Sequence, residues 1–213
     1  MTPHQFIAKW QPMALSERAS YVTHFNDLCD MLGHPKPLEV DPNGSWFTFE
    51  RGVDTSEGKK GWADVWLDQK FGWEYKGKHK DLRAAYQQLL RYRESLNNPP
   101  LLIVCDLNRF EIHPNFTGFA PKVHSFDLEG LRDAHNVQLL RDAFTAPEKL
   151  RPDRTQEAVT KDIADRFAKL ADGLRARGEA PDRSAHFLMK LMFCMFAEDI
   201  DLLPRGLFTA GIC

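Results

Sequence analysis

The chain reads as an α/β domain, a mixed sheet flanked by helices, followed by an all-helical segment. Three observations carry that reading. β-prone residues (Trp, Val, Phe, Tyr) crowd the stretch from Trp46 to Tyr75 in short runs separated by polar or Gly-containing breaks, the pattern of strands and hairpins. Leu101-Leu102-Ile103-Val104-Cys105 is continuously apolar, as a strand buried on both faces must be. From Ala146-Pro147 onward the strand signal disappears and only helical periods remain. We therefore expect one α/β domain over 1–146 and an incomplete helical segment over 147–213.

The elements follow in order. Pro3 to Trp10 forms a short amphipathic entry. Ser16 caps a helix running to about Leu32, where Gly33 and then Pro35 and Pro37 stop it. Ala19, Val22, Phe25, Cys29 and Leu32 recur at helical spacing as its core face. Trp46 to Glu50 is the first strand, and Gly52 to Lys60 reads as a mobile loop. A helix from Asp81 to Leu96 carries the stripe Ala85, Leu89, Tyr92 and Leu96, and Asn97-Asn98-Pro99-Pro100 ends it. Arg109 to His113 continues the sheet, Val123 to Phe126 adds an edge strand, and Leu128 to Phe144 is a covering helix. Two helices complete the chain, Arg154 to Arg177 and Asp182 to Asp199. The second is too apolar for one partner helix to cover, from Phe187 to Phe196, so self-association is expected.

Composition narrows the function. A net charge of −2 argues against a generally sticky nucleic-acid binder and directs attention to local charge. Cys29, Cys105, Cys194 and Cys213 are too scattered for a zinc pattern, so reduced thiols are expected. The N-terminus lacks a signal-peptide pattern and no window approaches eighteen uninterrupted apolar residues, which predicts neither secretion nor membrane spanning. Neither Gly-x-Gly-x-x-Gly nor a Walker pattern is present, which disfavours a nucleotide-binding enzyme.

The chemistry concentrates between Gly61 and Lys76. Two β-prone runs flank Asp68-Gln69-Lys70, a hairpin with a three-residue loop. Folding about Gln69 sets Asp64 opposite Glu74, at a cross-strand distance of about 4.5–5.5 Å where like charges repel. A divalent cation held by oxygen ligands would relieve that repulsion. Alternation points Lys76 the same way as Glu74, and Tyr75 the other way. Beyond them Lys76, Lys78, Lys80 and Arg83, with His79 among them, form a basic cluster opposed only by Asp81, suited to contacts with a phosphate backbone.

Asp64, nine intervening residues and then Glu74-Tyr75-Lys76 resemble the motif of the PD-(D/E)xK nuclease superfamily, with Ala63 where its name has proline. Gln88-Leu89-Leu90-Arg91-Tyr92 resembles the Gln-x-x-x-Tyr helix motif of several of its branches. Over nearly its whole length the chain resembles the N-terminal part of MmeI-like restriction-modification enzymes, most of all from Trp73 to Asp106. The resemblance implies a restriction-endonuclease-like core with element order α-β-β-β-α-β, followed by the start of a helical connector. It implies a Mg²⁺-dependent endonuclease acting on double-stranded DNA in a bacterial cytoplasm, with Mn²⁺ able to substitute. Asp64, Glu74 and the Tyr75 carbonyl would bind the metal, Lys76 would act on the attacking water, and the Gln88 amide would be set toward that water or toward Lys76. Glu17, at the start of an N-terminal helix, is a further candidate ligand. The methyltransferase, its S-adenosylmethionine site and target recognition would lie in regions of the parent polypeptide outside this chain. The rival reading is an inactive or truncated DNA-binding or scaffold fragment of such an enzyme.

Overall fold

The computed structural model describes residues 1–13, 17–54, 60–77, 81–200 and 202–204. Six strands, β1 (Phe47–Asp54), β2 (Lys60–Leu67), β3 (Phe71–Tyr75), β4 (Leu101–Cys105), β5 (Arg109–Pro114) and β6 (His124–Asp127), lie side by side in sequence order. Every neighbouring pair is antiparallel except β3 and β4, which are parallel. A parallel pair cannot be joined by a hairpin and needs a crossover. Helices precede, cross and follow this sheet: α1 (Pro3–Trp10), α2 (Glu17–Leu32), the single turn α3 (Pro37–Val40), the crossover helix α4 (Leu82–Tyr92) and α5 (Ala134–Thr145).

Both faces of the central strands are covered, which explains why β4 is apolar throughout. Leu101, Ile103 and Cys105 enter a core with Phe6, Trp10, Phe25 and Phe144 from α1, α2 and α5. Leu102 and Val104 enter a second core with Ala85 and Leu89 from α4 and with Leu96. Phe25 is the hub of the larger core, its ring 5.4–6.3 Å from those of Phe47, Phe49, Phe71, Trp73 and Phe144. Cys29 and Cys105 are buried thiols there, and burial pushes the Cys29 thiol up to about 12.

The sheet and its flanking helices agree with the sequence-based expectation, and four details differ. The stretch from Gly52 is strand rather than loop, because Gly52↔Trp62, Val53↔Gly61 and Asp54↔Lys60 continue the ladder and Val53 packs beneath α4. Residues 55–59 of the expected loop lie outside the described residues, as does the Ser16 cap. Val22 is exposed, since α2 turns Tyr21, His24, Phe25 and Leu28 inward instead. The helix expected to reach Leu96 ends at Tyr92, and Leu96 is buried from the turn that follows. The covering helix is broken at Asp133, whose side chain accepts the His135 N–H and so caps a new helix behind a 3-10 turn over Glu129–Arg132.

The chain forms two compact units, Met1–Asp153 and Arg154–Cys213, with the 3-10 turn Pro147–Leu150 in the first. In the second, α6 (Gln156–Ala176) and α7 (Pro181–Asp199) pack on each other. Gly178 adopts φ 84°, and the bonds Gly178 N to Arg175 O and Glu179 N to Leu174 O close α6 in a Schellman motif. Phe187, Met189, Met192 and Phe193 of α7 are exposed. Among the described residues no helix is long and apolar enough to cross a membrane.

His113 supplies a test of this packing. Its ring stacks on Tyr86 at 3.9 Å, and its Nε2 lies 3.5 Å from Glu111, a distance that would suggest an ion pair. Burial lowers its pKa to about 4, so the imidazole is neutral at pH 7 and the contact is not ionic. The unfolded chain binds a proton near pH 6.5 and the folded chain does not, so stability falls as pH drops from 6.5 toward 4. In urea denaturation, wild type should lose about 1–2 kcal/mol relative to His113→Phe between pH 7 and pH 5. Parallel pH dependence of the two proteins would contradict a neutral His113.

Candidate active site at the end of β3

The β2–β3 hairpin closes as its sequence dictates. Asp68-Gln69-Lys70 is the loop, Gln69 takes the left-handed φ of 57°, and the pairs Leu67↔Phe71, Trp66↔Gly72 and Val65↔Trp73 are symmetric about it. One step further would face Asp64 against Glu74, but the ladder stops at Val65↔Trp73. From there β3 remains paired with β4, through Glu74↔Val104, Tyr75↔Cys105 and the Lys76 N–H to Cys105 O bond of 2.8 Å. On the β2 side the Tyr75 N–H instead donates to the Asp64 carboxylate at 2.6 Å. A side chain has replaced the backbone as partner. The expected Asp64↔Glu74 cross-strand pair is thus corrected: the ladder stops short of it, and the Asp64 carboxylate takes the Tyr75 amide instead.

Glu74 points to the α4 side, as its ladder partner Val104 does, and is almost fully buried. A carboxylate there must be paired. Its Oε1 accepts from Lys76 Nζ at 2.8 Å and from Gln88 Nε2 at 2.6 Å, while Lys76 Nζ also donates to Gln88 Oε1 at 3.3 Å. The Gln88 amide therefore has one orientation, nitrogen toward the carboxylate and oxygen toward the ammonium. Its neighbours Ala85 and Leu89 are buried and fix α4 against the sheet, while Gln87 is solvent-exposed.

Tyr75 points into the opposite core, where its hydroxyl and His24 Nδ1 are 2.9 Å apart. Burial lowers the His24 pKa to about 3 and raises that of Tyr75, so both are neutral. The pair pins β3 at the residue between Glu74 and Lys76.

Sequence reasoning treated Glu50 only as the end of a strand. Its Oε1 accepts from the Tyr21 hydroxyl at 3.0 Å, and Tyr21 packs 5.8 Å from the Tyr75 ring. The Tyr21 phenol is pushed up by burial first, then by its bond to Glu50 and by the negative charge of Glu50, Asp64 and Glu74. One neighbourhood thus contains all three carboxylates. The available signal was the strand register, which sets Glu50 across from Asp64.

The structure brings Asp64, Glu74, Tyr75, Lys76 and Gln88 together. Arg83 is exposed in the first turn of α4, where its N–H donates to the Asp81 cap, and it borders a polar cleft with Asp106 and Arg109. The candidate contacts Lys78, His79 and Lys80 lie outside the described residues, and so does the Glu17 side chain. Among the described residues no three His, Cys, Asp or Glu side chains assemble as a metal site. The candidate oxygen donors are the Asp64 and Glu74 carboxylates and the Tyr75 carbonyl, a hard set that suits Mg²⁺ when water and substrate fill the remaining positions.

Tyr75→Phe would leave His24 Nδ1 buried without its partner and should lower the folding free energy by about 1–3 kcal/mol in urea denaturation. An unchanged midpoint would show that the bond does not hold β3.

The family model described as MmeI, N-terminal domain, matches residues 1–177. No curated protein matches the chain. Among solved structures, a chain of the cryoEM structure of a DrdV-DNA complex matches with a TM-score of 0.43 and 16% identity. That match covers 92% of this chain and 17% of the other.

Proposed function

Because this chain belongs to the MmeI N-terminal-domain family, we propose that it is the nuclease region of a restriction enzyme and hydrolyses phosphodiester bonds in double-stranded DNA with Mg²⁺. Residues 1–146 carry the nuclease and 147–213 the beginning of a helical connector. The observation that carries the reading is the Glu74 carboxylate held by both Lys76 and Gln88, with Asp64 fastened to the amide of Tyr75 between them.

Asp64, Glu74 and the Tyr75 carbonyl hold the cation. Mg²⁺, or Mn²⁺ in its place, supplies a water of lowered pKa and neutralises charge on the phosphate when bound. The Lys76 ammonium, held beside the Glu74 carboxylate, would orient the attacking water and stabilise the phosphate oxygen on which charge develops. Gln88 sets the Lys76 and Glu74 geometry without taking a proton itself. Lys78, His79, Lys80 and Arg83 contact the DNA backbone and give salt-dependent affinity. Target recognition and S-adenosylmethionine binding belong to other regions of the parent enzyme, and the exposed α7 residues serve packing against them or self-association. The alternative, an inactive DNA-binding or scaffold fragment, has no support from the site, where Asp64, Glu74 and Lys76 are all retained.

Nicking of supercoiled plasmid tests the assignment. Lys76→Ala, still folded, should lose on the order of 10²-fold or more in rate, and activity should require Mg²⁺ or Mn²⁺. Wild-type-like nicking by Lys76→Ala would refute the role given to the ammonium. Gln88→Ala should lose less than Lys76→Ala in the same assay, and an equal or larger loss would move Gln88 from positioning into the chemistry.

A further inference from the structure

The β1–β2 ladder is interrupted once. Phe49 pairs with Val65 and Arg51 with Ala63, while Glu50 and Asp64 between them do not pair. The register is the same on both sides of the gap, so no residue has been inserted and this is not a bulge. Glu50 instead takes φ 50°, a left-handed conformation that strains a non-glycine residue and persists only when its surroundings hold it.

The step exchanges the faces of the sheet. Phe47, Val65 and Leu67 pack in the core of α1, α2 and α5, whereas Val53 and Ala63 pack in the core beneath α4. Ala63 and Val65 are two residues apart and would share a face in a regular strand. Gly61 shares the face of Ala63, for a Cβ there would collide with the Tyr92 hydroxyl of α4. Asp64 therefore lies where β2 turns over, and its carboxylate leaves the regular alternation to reach the Tyr75 amide on the next strand. What holds the turn in place is the Tyr21 hydroxyl bonded to Glu50, with the Tyr21 ring packed against Phe49 and Tyr75.

We propose that Glu50, held by Tyr21, is a positioning residue for the cation site: its left-handed backbone breaks the ladder opposite Asp64 and so aims the Asp64 carboxylate at β3. This rests on the reading of Asp64 and Glu74 as cation ligands. Glu50 acts through Asp64 and is not a ligand itself.

Two readouts on the full chain test it, both without DNA. The first needs no metal: the Tyr75 amide proton, observed in ¹⁵N-tyrosine-labelled protein, reports its bond to Asp64. Glu50→Val, which disfavours the left-handed backbone, should move that signal upfield and lower its exchange protection. Glu50→Gly, which adopts positive φ without steric cost, should leave it in place, and Tyr21→Phe should shift it partway. The second is calorimetric titration with Mn²⁺. Glu50→Val should bind about tenfold more weakly, as loss of an outer-shell group does, whereas Glu50→Gly should stay within about twofold of wild type. A role confined to stability would lower the unfolding temperature yet leave both readouts of the folded protein unmoved. The proposal is overturned if Glu50→Val matches wild type in the Tyr75 signal, or if Glu50→Gly is as defective as Glu50→Val in Mn²⁺ binding. The underlying reading is checked by Asp64→Asn: normal Mn²⁺ binding by that variant, or none by wild type, overturns the ligand assignment and this proposal with it. Defective Asp64→Asn beside intact Glu50→Val overturns this proposal alone.

Discussion

Strand β3 has two neighbours and, at its C-terminal end, keeps backbone pairing with only one. It pairs with β4 through Tyr75, while β2 falls away after Val65. The N–H left over at Tyr75 is taken by the Asp64 carboxylate at 2.6 Å. That single substitution of a side chain for a backbone carbonyl opens the sheet where polar chemistry is needed and ties the two strands together across the opening. A backbone donor buried without a partner would cost about 1–3 kcal/mol, so the bond to Asp64 stabilises the splay as well as orienting the carboxylate.

The remaining arrangement follows from having a charged residue in a strand that is otherwise wholly buried. Glu74 is tolerable there because α4 crosses over its face and delivers Gln88, while Lys76, two residues along the strand, lies on the same side. Replacing either partner leaves a carboxylate short of hydrogen bonds in a low-dielectric setting. The other face of β3 is fixed by the neutral His24 and Tyr75 pair. Stability and positioning are thus supplied by the same side chains.

Much of this was legible in the residues. The loop Asp68-Gln69-Lys70 and the apolar residues around it specify the hairpin register, and the unbroken apolar run Leu101 to Cys105 identifies the strand beside which Glu74 and Lys76 are placed. Helical spacing in α4 puts Ala85 and Leu89 inward and so leaves Gln88 near the strand end. Where the reading failed, a nonlocal partner decided the outcome. Val22 fits a helical stripe, yet α2 instead buries Tyr21 and His24, polar residues whose hydroxyl and ring nitrogen find partners on β1 and β3. Gly52 and Val53 look like the start of a loop, but Val53 has a helix to pack against. The splay at Asp64 was invisible because ideal hairpin geometry continues a ladder indefinitely and carries no record of the break at Glu50 on β1. Glu50 was missed because the expected strand ended at it, so the β1–β2 register that sets it across from Asp64 was not drawn.

In the proposed site Asp64 and Glu74 would share one divalent cation at the end of β3. Paramagnetic broadening by substoichiometric Mn²⁺ measures its position directly in ¹⁵N-labelled protein. The account predicts that the amides of Val65, Tyr75 and Gly77 broaden first, and that Glu74→Ala abolishes the effect. Broadening centred on another part of the chain, or unchanged in Glu74→Ala, would contradict it.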